Sequence, residues 1–215
     1  MRQYRPFFLL RNIFAKAVFR ISTDEKVLCL TFDDGPNPDS TYKILNILDN
    51  YQVKAMFFLT GINVENYPGI KEMIVAGGHQ IGNHGYCHMS GWSTSYEKYR
   101  GNISKAARLI PSGFFRPPYG RLTPRQYHNI LNDYTLVFWD LMPYDFSRSV
   151  SAGKCLRILK EKIRPGSIIV LHDSPCSKVT GFLAEFIEFA AGLGYSFVLP
   201  DFATPGKDKH RKKAC

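Results

Sequence analysis

From Lys26 onward the chain alternates short apolar, β-prone runs with longer stretches of helical period, the pattern of βα units wound into a parallel sheet. Runs at 27–32, 55–59, 80–83, 114–115, 136–139, 167–171 and 195–199 predict about seven parallel strands. The intervening periodicity predicts helices near 41–50, 69–76, 95–109, 124–131, 151–163 and 178–193. Asp39 or Ser40 caps the first of these and Gly77-Gly78 ends the second, while Thr123-Pro124 pairs a cap with a proline in the first turn. An α/β fold follows.

The polar positions that interrupt this pattern are not scattered. Asp33 and Asp34 follow the first strand, His84 and His88 the third, Arg116 the fourth, Asp140 and Asp145 the fifth, and His172 closes the sixth. All fall at C-terminal strand ends, where the βα loops of a parallel barrel converge and carry chemistry. Adjacent carboxylates such as Asp33-Asp34 repel, so a fold tolerates them best beside a cation or a proton. His84 and His88, four residues apart, can reach one ion from a single turn or tight loop. Adding one carboxylate of the pair makes a two-histidine, one-carboxylate set with open positions for water and substrate. The second carboxylate is then free to take a proton. Cys87 sits beside these ligands, and a packed thiol is expected there.

Length and charge narrow the picture. At 215 residues and 45% hydrophobic content the chain can bury one full core. Its formal charge of +10 lies mostly in the ends: residues 1–22 carry +5 and residues 206–215 carry +4. The body, 23–205, is close to neutral, which argues against nucleic-acid binding. Five widely spaced cysteines without a C-x-x-C pair fit a reducing compartment. The basic N-terminus has an apolar run at 7–10 that Arg11 interrupts, too short for a signal peptide, and no stretch is long enough to span a bilayer. A cytoplasmic location is expected, with contact to the inner membrane face through residues 1–22 as one use of that segment. Phe7, Leu10, Phe14 and Val18 share a helical face opposite Arg2, Arg5, Lys16 and Arg20, which fits packing across one end of the domain or docking on a membrane. The basic tail, 206–215, reads as a solvated terminus.

Five segments in order then carry a resemblance: Thr31-Phe32-Asp33-Asp34-Gly35-Pro36, His84 to His88, Arg116-Pro117-Pro118-Tyr119, Trp139 to Phe146, and Val170-Leu171-His172-Asp173. Together they resemble the polysaccharide deacetylases of carbohydrate esterase family four. The resemblance implies a distorted, incomplete (β/α) barrel holding a divalent metal, zinc foremost, that removes acetyl groups from N-acetylated sugars. It assigns Asp33 as general base, Asp34, His84 and His88 as metal ligands, and Arg116 as the partner that keeps Asp33 ionised. The Tyr119 amide would support the oxyanion, and His172, tuned by Asp145, would protonate the leaving amine.

Three positions depart from that family's pattern. Gly85 replaces a serine or threonine that braces the metal loop, which predicts looser ligand geometry. Phe146 replaces a tryptophan and Val170 a leucine, changes that reshape an apolar wall and bear on substrate choice. Tyr86, Trp92, Tyr119 and Tyr144 are candidates for stacking on sugar rings, Asp140 is structural or substrate-facing, and His79, His128 and His210 are expected at the surface. Two other readings keep the site: a deformylase or amidohydrolase acting on a lipid-linked sugar or small amide, and a non-catalytic glycan-binding protein.

Overall fold

The computed structural model describes residues 3–200; the basic tail and His210 lie outside them. Strands β1 (Val27–Asp33), β2 (Met56–Leu59), β3 (Gln80–Asn83), β4 (Phe114–Phe115), β5 (Thr135–Leu136), β6 (Ser167–His172) and β7 (Ser196–Phe197) form one sheet. Its order is β5-β4-β3-β2-β1-β6, with β7 pairing the start of β1, and every named pair is parallel. Helices α1 (Phe8–Ile13), α2 (Thr41–Asn50), α3 (Gly61–Asn66), α4 (Pro68–Ala76), α5 (Tyr96–Ala107), α6 (Pro124–Ile130), α7 (Ala152–Lys162) and α8 (Leu183–Gly192) accompany it. The sheet curls into the expected incomplete (β/α) barrel.

Strand alternation sorts the apolar runs. Leu28, Leu30 and Phe32 of β1 pack with Phe57, Leu59, Ile169 and Leu171 against the helices, in the core that includes α2, α7 and α8. Cys29 belongs instead to the barrel interior with Met56, Phe58, Val137 and Ile168. The same period of two places Thr31 and Asp33 on that inner face, above Cys29. Burial pushes the Cys29 thiol up to about 12, so it acts as an apolar filler.

The barrel stays open between β5 and β6, and the N-terminal segment crosses that gap. Val18 bridges to Val137 in parallel, Arg20 bridges to Ser167 in antiparallel, and Leu141 reaches Ile169 from the far side. Predicted strand 136–139 therefore ends early, at Leu136: Phe138 N donates to Val18 O, the carbonyls of Val137 and Phe138 accept from the Arg116 side chain, and only Asp140 and Leu141 reach Ile168 O of β6. Phe14 and Phe19 stack on Phe138, giving the segment its own core with α5 and α6. Predicted helix 178–193 divides into a 3-10 turn, Val179–Gly181, and α8. The pattern did not predict α3 at all.

Candidate active site

The site is assembled by register. β1 and β6 align Asp33 with His172, β2 and β3 align Leu59 with Asn83, and β3 and β4 align Asn83 with Phe115. His84 and Arg116 each follow one of these last positions, so every candidate side chain leaves its strand at the same level. A cleft of about 500 Å3 opens there, lined by Asp33, Asp34, His84, His88, Tyr119, Arg121, Trp139, Met142, Tyr144, Phe146, Val170 and His172.

Arg116 is fully buried inside the barrel and its donors are well used. Nε donates to Val137 O at 3.0 Å, one terminal nitrogen donates to Thr31 Oγ1 at 2.7 Å and to Asp33 Oδ1 at 2.6 Å, and the other donates to Phe138 O at 2.9 Å. Its guanidinium lies 4.0 Å from the Phe58 ring centroid. Gly82 permits this layer, because a Cβ there would meet Phe58 at 2.5 Å. Burial would raise the Asp33 pKa, but the charge of Arg116, with His84 and His172, outweighs it and holds the carboxyl below its ordinary value. Asp33 is thus an ionised carboxylate whose Oδ2 lies 3.9 Å from His84 Nε2.

Asp34 turns the other way. Its φ of 79° is left-handed, and its backbone is pinned by Asn63 Nδ2, which donates to Asp34 O at 2.8 Å. The side chain meets the histidines: Oδ1 lies 3.6 Å from His84 Nε2 and 3.2 Å from His88 Nε2. The three ligand atoms all lie within 4.8 Å of one another. Asp34 Oδ1 is buried without a hydrogen-bond partner, a cost that a cation at this point would remove. His84 Nδ1 is 2.7 Å from Arg116 O, which assigns the proton to Nδ1 and leaves the Nε2 lone pair facing the centre. Burial and the neighbouring His84 lower the His88 pKa to about 4, so its ring is neutral as a ligand requires. Two nitrogens and one carboxylate oxygen suit a divalent metal.

Across the cleft, Asp145 is buried and grips His172 twice: Oδ1 is 2.9 Å from His172 Nδ1 and Oδ2 accepts from His172 N at 2.8 Å. Ser177 Oγ donates to the same Oδ2 at 2.7 Å. Burial opposes charge on His172, yet the Asp145 carboxylate overcomes it and raises the pKa to about 9. Phe146 packs edge-on against the imidazole at 4.4 Å. Tyr119 has φ 60°, and the turn's bonds run from Gly120 N to Pro117 O and Arg121 N to Pro118 O, so neither consumes the Tyr119 amide.

Backbone conformation marks the same place. Five non-glycine residues have positive φ among those described, and four of them, Asp34, His88, Tyr119 and Tyr144, line the cleft. Such conformations persist only where the surroundings over-determine them, and they gather at functional sites.

All eight site residues expected from the sequence reach this cleft or support it directly. Gly85 does not leave the ligand loop loose. Gly85 N donates to Asn83 Oδ1 and Tyr86 N to Asn102 Oδ1, each at 2.8 Å, while the first amides of α3, on Gly61 and Ile62, donate to Gly85 O and Tyr86 O. A Cβ on Gly85 would lie 2.7 Å from Asn102 Oδ1 at a φ of +78°, so a glycine and Asn102 belong together here. Nothing local marks Asn63 and Asn102, which serve backbone far along the chain, whereas Asn83 binds the amide of Gly85 two residues on, a local Asx pattern. Thr31 did carry a signal: it is a polar residue on the inward phase of an apolar strand.

Other expectations need correction. His79 is buried, not superficial; its Nδ1 accepts from Ala55 N at 3.1 Å, and burial lowers its pKa to about 4. Cys87 is an exposed thiol rather than a packed one, and stands outside the ligand set. Tyr86 is unavailable for stacking, since it is buried, bonded to Glu65 and covered by Lys105. Of the two readings of Asp140, the structural one holds: it is fully buried, with Arg5, Arg11, Arg164 and Ser167 around it. His128 is exposed, as expected.

The molecule is an incomplete (β/α) barrel that carries a two-histidine, one-carboxylate donor set at its rim. The sequence model of the family described as polysaccharide deacetylase matches residues 20–139. A peptidoglycan-N-acetylglucosamine deacetylase of Bacillus cereus is 35% identical over 161 residues, 72% of this chain and 58% of that protein, under two thirds of its length. A chitooligosaccharide deacetylase of Azorhizobium caulinodans is 34% identical over 163 residues, covering 72% of this chain and 77% of the relative. The crystal structure of the Bc1960 peptidoglycan N-acetylglucosamine deacetylase aligns at a TM-score of 0.80 and 33% identity, over 85% of this chain and 90% of that one. The chain belongs to the polysaccharide deacetylase family, whose membership implies a divalent metal.

Proposed function

We propose that this protein hydrolyses the acetamide of an N-acetylated sugar, with a divalent metal, zinc foremost, held by Asp34, His84 and His88. The observation that carries this reading is the meeting of three units in one cleft: the Asp33–Arg116 pair, the buried orphan oxygen of Asp34 facing two imidazoles, and the Asp145–His172 pair. A metal in that donor set supplies a Lewis acid that acidifies a water and polarises the acetamide carbonyl. Asp33 Oδ2, the oxygen Arg116 leaves free, accepts the proton of the attacking water. The Tyr119 amide donates to the carbonyl oxygen as it gains charge. His172 Nε2, facing away from Asp145, gives its proton to the departing nitrogen, so acetate and a free amine leave. The experiment is acetate release from chito-oligomers, peptidoglycan fragments and lipid-linked amino sugars, with and without a chelator. Release that a chelator abolishes and zinc restores is expected; release that survives complete metal removal overturns the reading.

One observation favours a lipid-linked substrate among these. Phe7, Phe8, Leu9 and Ile13 on and before α1 are 60–75% exposed, and Lys16 and Lys162 stand nearby. Apolar side chains beside cations fit an anionic lipid surface. Free thiols at Cys29, Cys87 and Cys176 support a reducing location, at the cytoplasmic face of that membrane.

A further inference from the structure

Arg121 lines the active-site cleft but has no part in the chemistry above. Its backbone is fixed on both sides, N donating to Pro118 O and O accepting from Gly91 N, each at 3.2 Å. Its guanidinium carbon sits 5.0 Å from the Trp92 ring centroid and 5.8 Å from that of Tyr119. No acidic side chain among the described residues pairs with it. The other charged groups of the cleft are committed: Arg116 to Asp33, His172 to Asp145, and Asp34 to the two histidines.

An exposed arginine usually sweeps through solvent. Two aromatic rings within 6 Å hold this guanidinium by cation–π contact, and its N–H groups, without an acidic partner among the described residues, remain to bind a carboxylate or phosphate bidentately. Trp92 is 65% exposed, yet its Nε1 is tied to Leu122 O at 3.2 Å, so a rigid indole stands open beside the cation. Tyr119 continues the wall inward, meeting the His88 ring at 4.6 Å. A ring, a cation and a second ring therefore lead from solvent to a proposed metal ligand.

We infer that Trp92, Arg121 and Tyr119 form an anion-recognising sugar subsite, with Trp92 stacking a pyranose and Arg121 pairing with a carboxylate or phosphate on the sugar next to the one that reacts. This rests on the deacetylase reading for the position of the reacting sugar. Neutral oligomers fill the same wall without the ion pair, so selectivity for anionic glycans is the consequence.

The test uses zinc-loaded Asp33→Asn protein and calorimetric titration with three matched N-acetylated tetrasaccharides: neutral, carboxylate-bearing and phosphate-bearing. At least one anionic ligand binds about 10- to 100-fold tighter than the neutral one, the range for a charged hydrogen-bonded pair. The preference shrinks with added salt, is abolished by Arg121→Gln and is only partly kept by Arg121→Lys, which cannot form a planar fork. The two anionic arms distinguish carboxylate from phosphate. Equal affinity for all three ligands, no binding of any, or a preference that survives Arg121→Gln overturns the subsite. Acetate release by the wild-type protein separates this from the underlying function. A binding preference with no release from any ligand removes the deacetylase reading and leaves the anion site. Release at equal kcat/KM from neutral and anionic ligands, in a ratio Arg121→Gln does not move, removes the subsite alone.

Discussion

Asp33 and Asp34 are neighbours in sequence and divide in space because one backbone torsion changes hand between them. Asp33 ends β1 on its inward phase and meets Arg116, whereas φ 79° at Asp34 swings the next carboxylate toward His84 and His88. The two should therefore respond differently to the same substitution. Asp33→Asn is expected to lower kcat by about 10²- to 10⁴-fold, the usual worth of a general base, while metal content measured by emission spectroscopy stays at the wild-type level. Retained activity in that variant would remove Asp33 from the base role. Asp145 governs the opposite proton. Burial depresses the His172 pKa and the Asp145 charge raises it to a net value of about 9, so removing the charge leaves burial dominant. Asp145→Asn should then move the alkaline limb of the pH–kcat/KM profile to lower pH, and an unmoved limb would assign it to another group.

At the scale of elements, the helix that sequence did not foretell is the one that steadies the ligand loop. Gly61–Asn66 has no side-chain cap and only six residues, so neither periodicity nor a start signal marks it. It forms because its first amides find acceptors on Gly85 and Tyr86, and Asn63 holds Asp34. Asn102, from α5, completes that support in place of the hydroxyl absent at Gly85. Asn102→Ala is expected to weaken divalent-metal affinity by about tenfold, a common outcome when an outer partner of a ligand is lost, read by competition with a chromophoric chelator. Unchanged affinity would show that α3 suffices. Helix α1 makes a different case, since of its own six residues only Leu10 packs against the core. In flotation with anionic vesicles, Phe7→Ser/Phe8→Ser/Leu9→Ser protein should stay at the bottom while the wild type rises. Equal sedimentation of both would dismiss the membrane surface as the occupant of this face.

For the whole molecule, one buried carboxylate ties the N-terminal segment to the barrel. Asp140 receives Arg5 and Arg11 from that segment, Arg164 from the turn before β6 and Ser167 from its first position. Burial alone would raise its pKa, but the hydrogen bonds from Arg164, Ser167 and Arg5 bring it down to about 2. A depressed carboxyl stabilises the fold fully above its unfolded value near 4 and loses that contribution as pH falls toward 2. Asp140→Asn should cost about 2–3 kcal/mol, below the full value of a broken buried pair because its arginines are partly exposed. Thermal unfolding at pH 7 should show a lower Tm, and the variant's stability should depend less on pH between 4 and 2. An unchanged Tm would mean that Phe14 and Phe19, stacked on Phe138, hold the segment unaided.

The chain's pattern alone shows the alternation of strand and helix and the gathering of Asp33, Asp34, His84, His88, Arg116, Asp145 and His172 at C-terminal strand ends, while Tyr119 came from the family resemblance. These are local or periodic properties: an apolar run sets a strand, its period of two sets which side chains point inward, and the residue after the run falls at the rim. Only the folded chain settles how Asp33 and Asp34 part, that Asp140 clamps three arginines away from the cleft, that His79 is buried, and that α3, Asn63 and Asn102 secure the ligand loop. It also places Arg121 beside the cleft between Trp92 and Tyr119, with no acidic partner among the described residues. Each of these depends on partners that lie far apart in the chain, and long-range pairing leaves no periodic trace from which it could have been read.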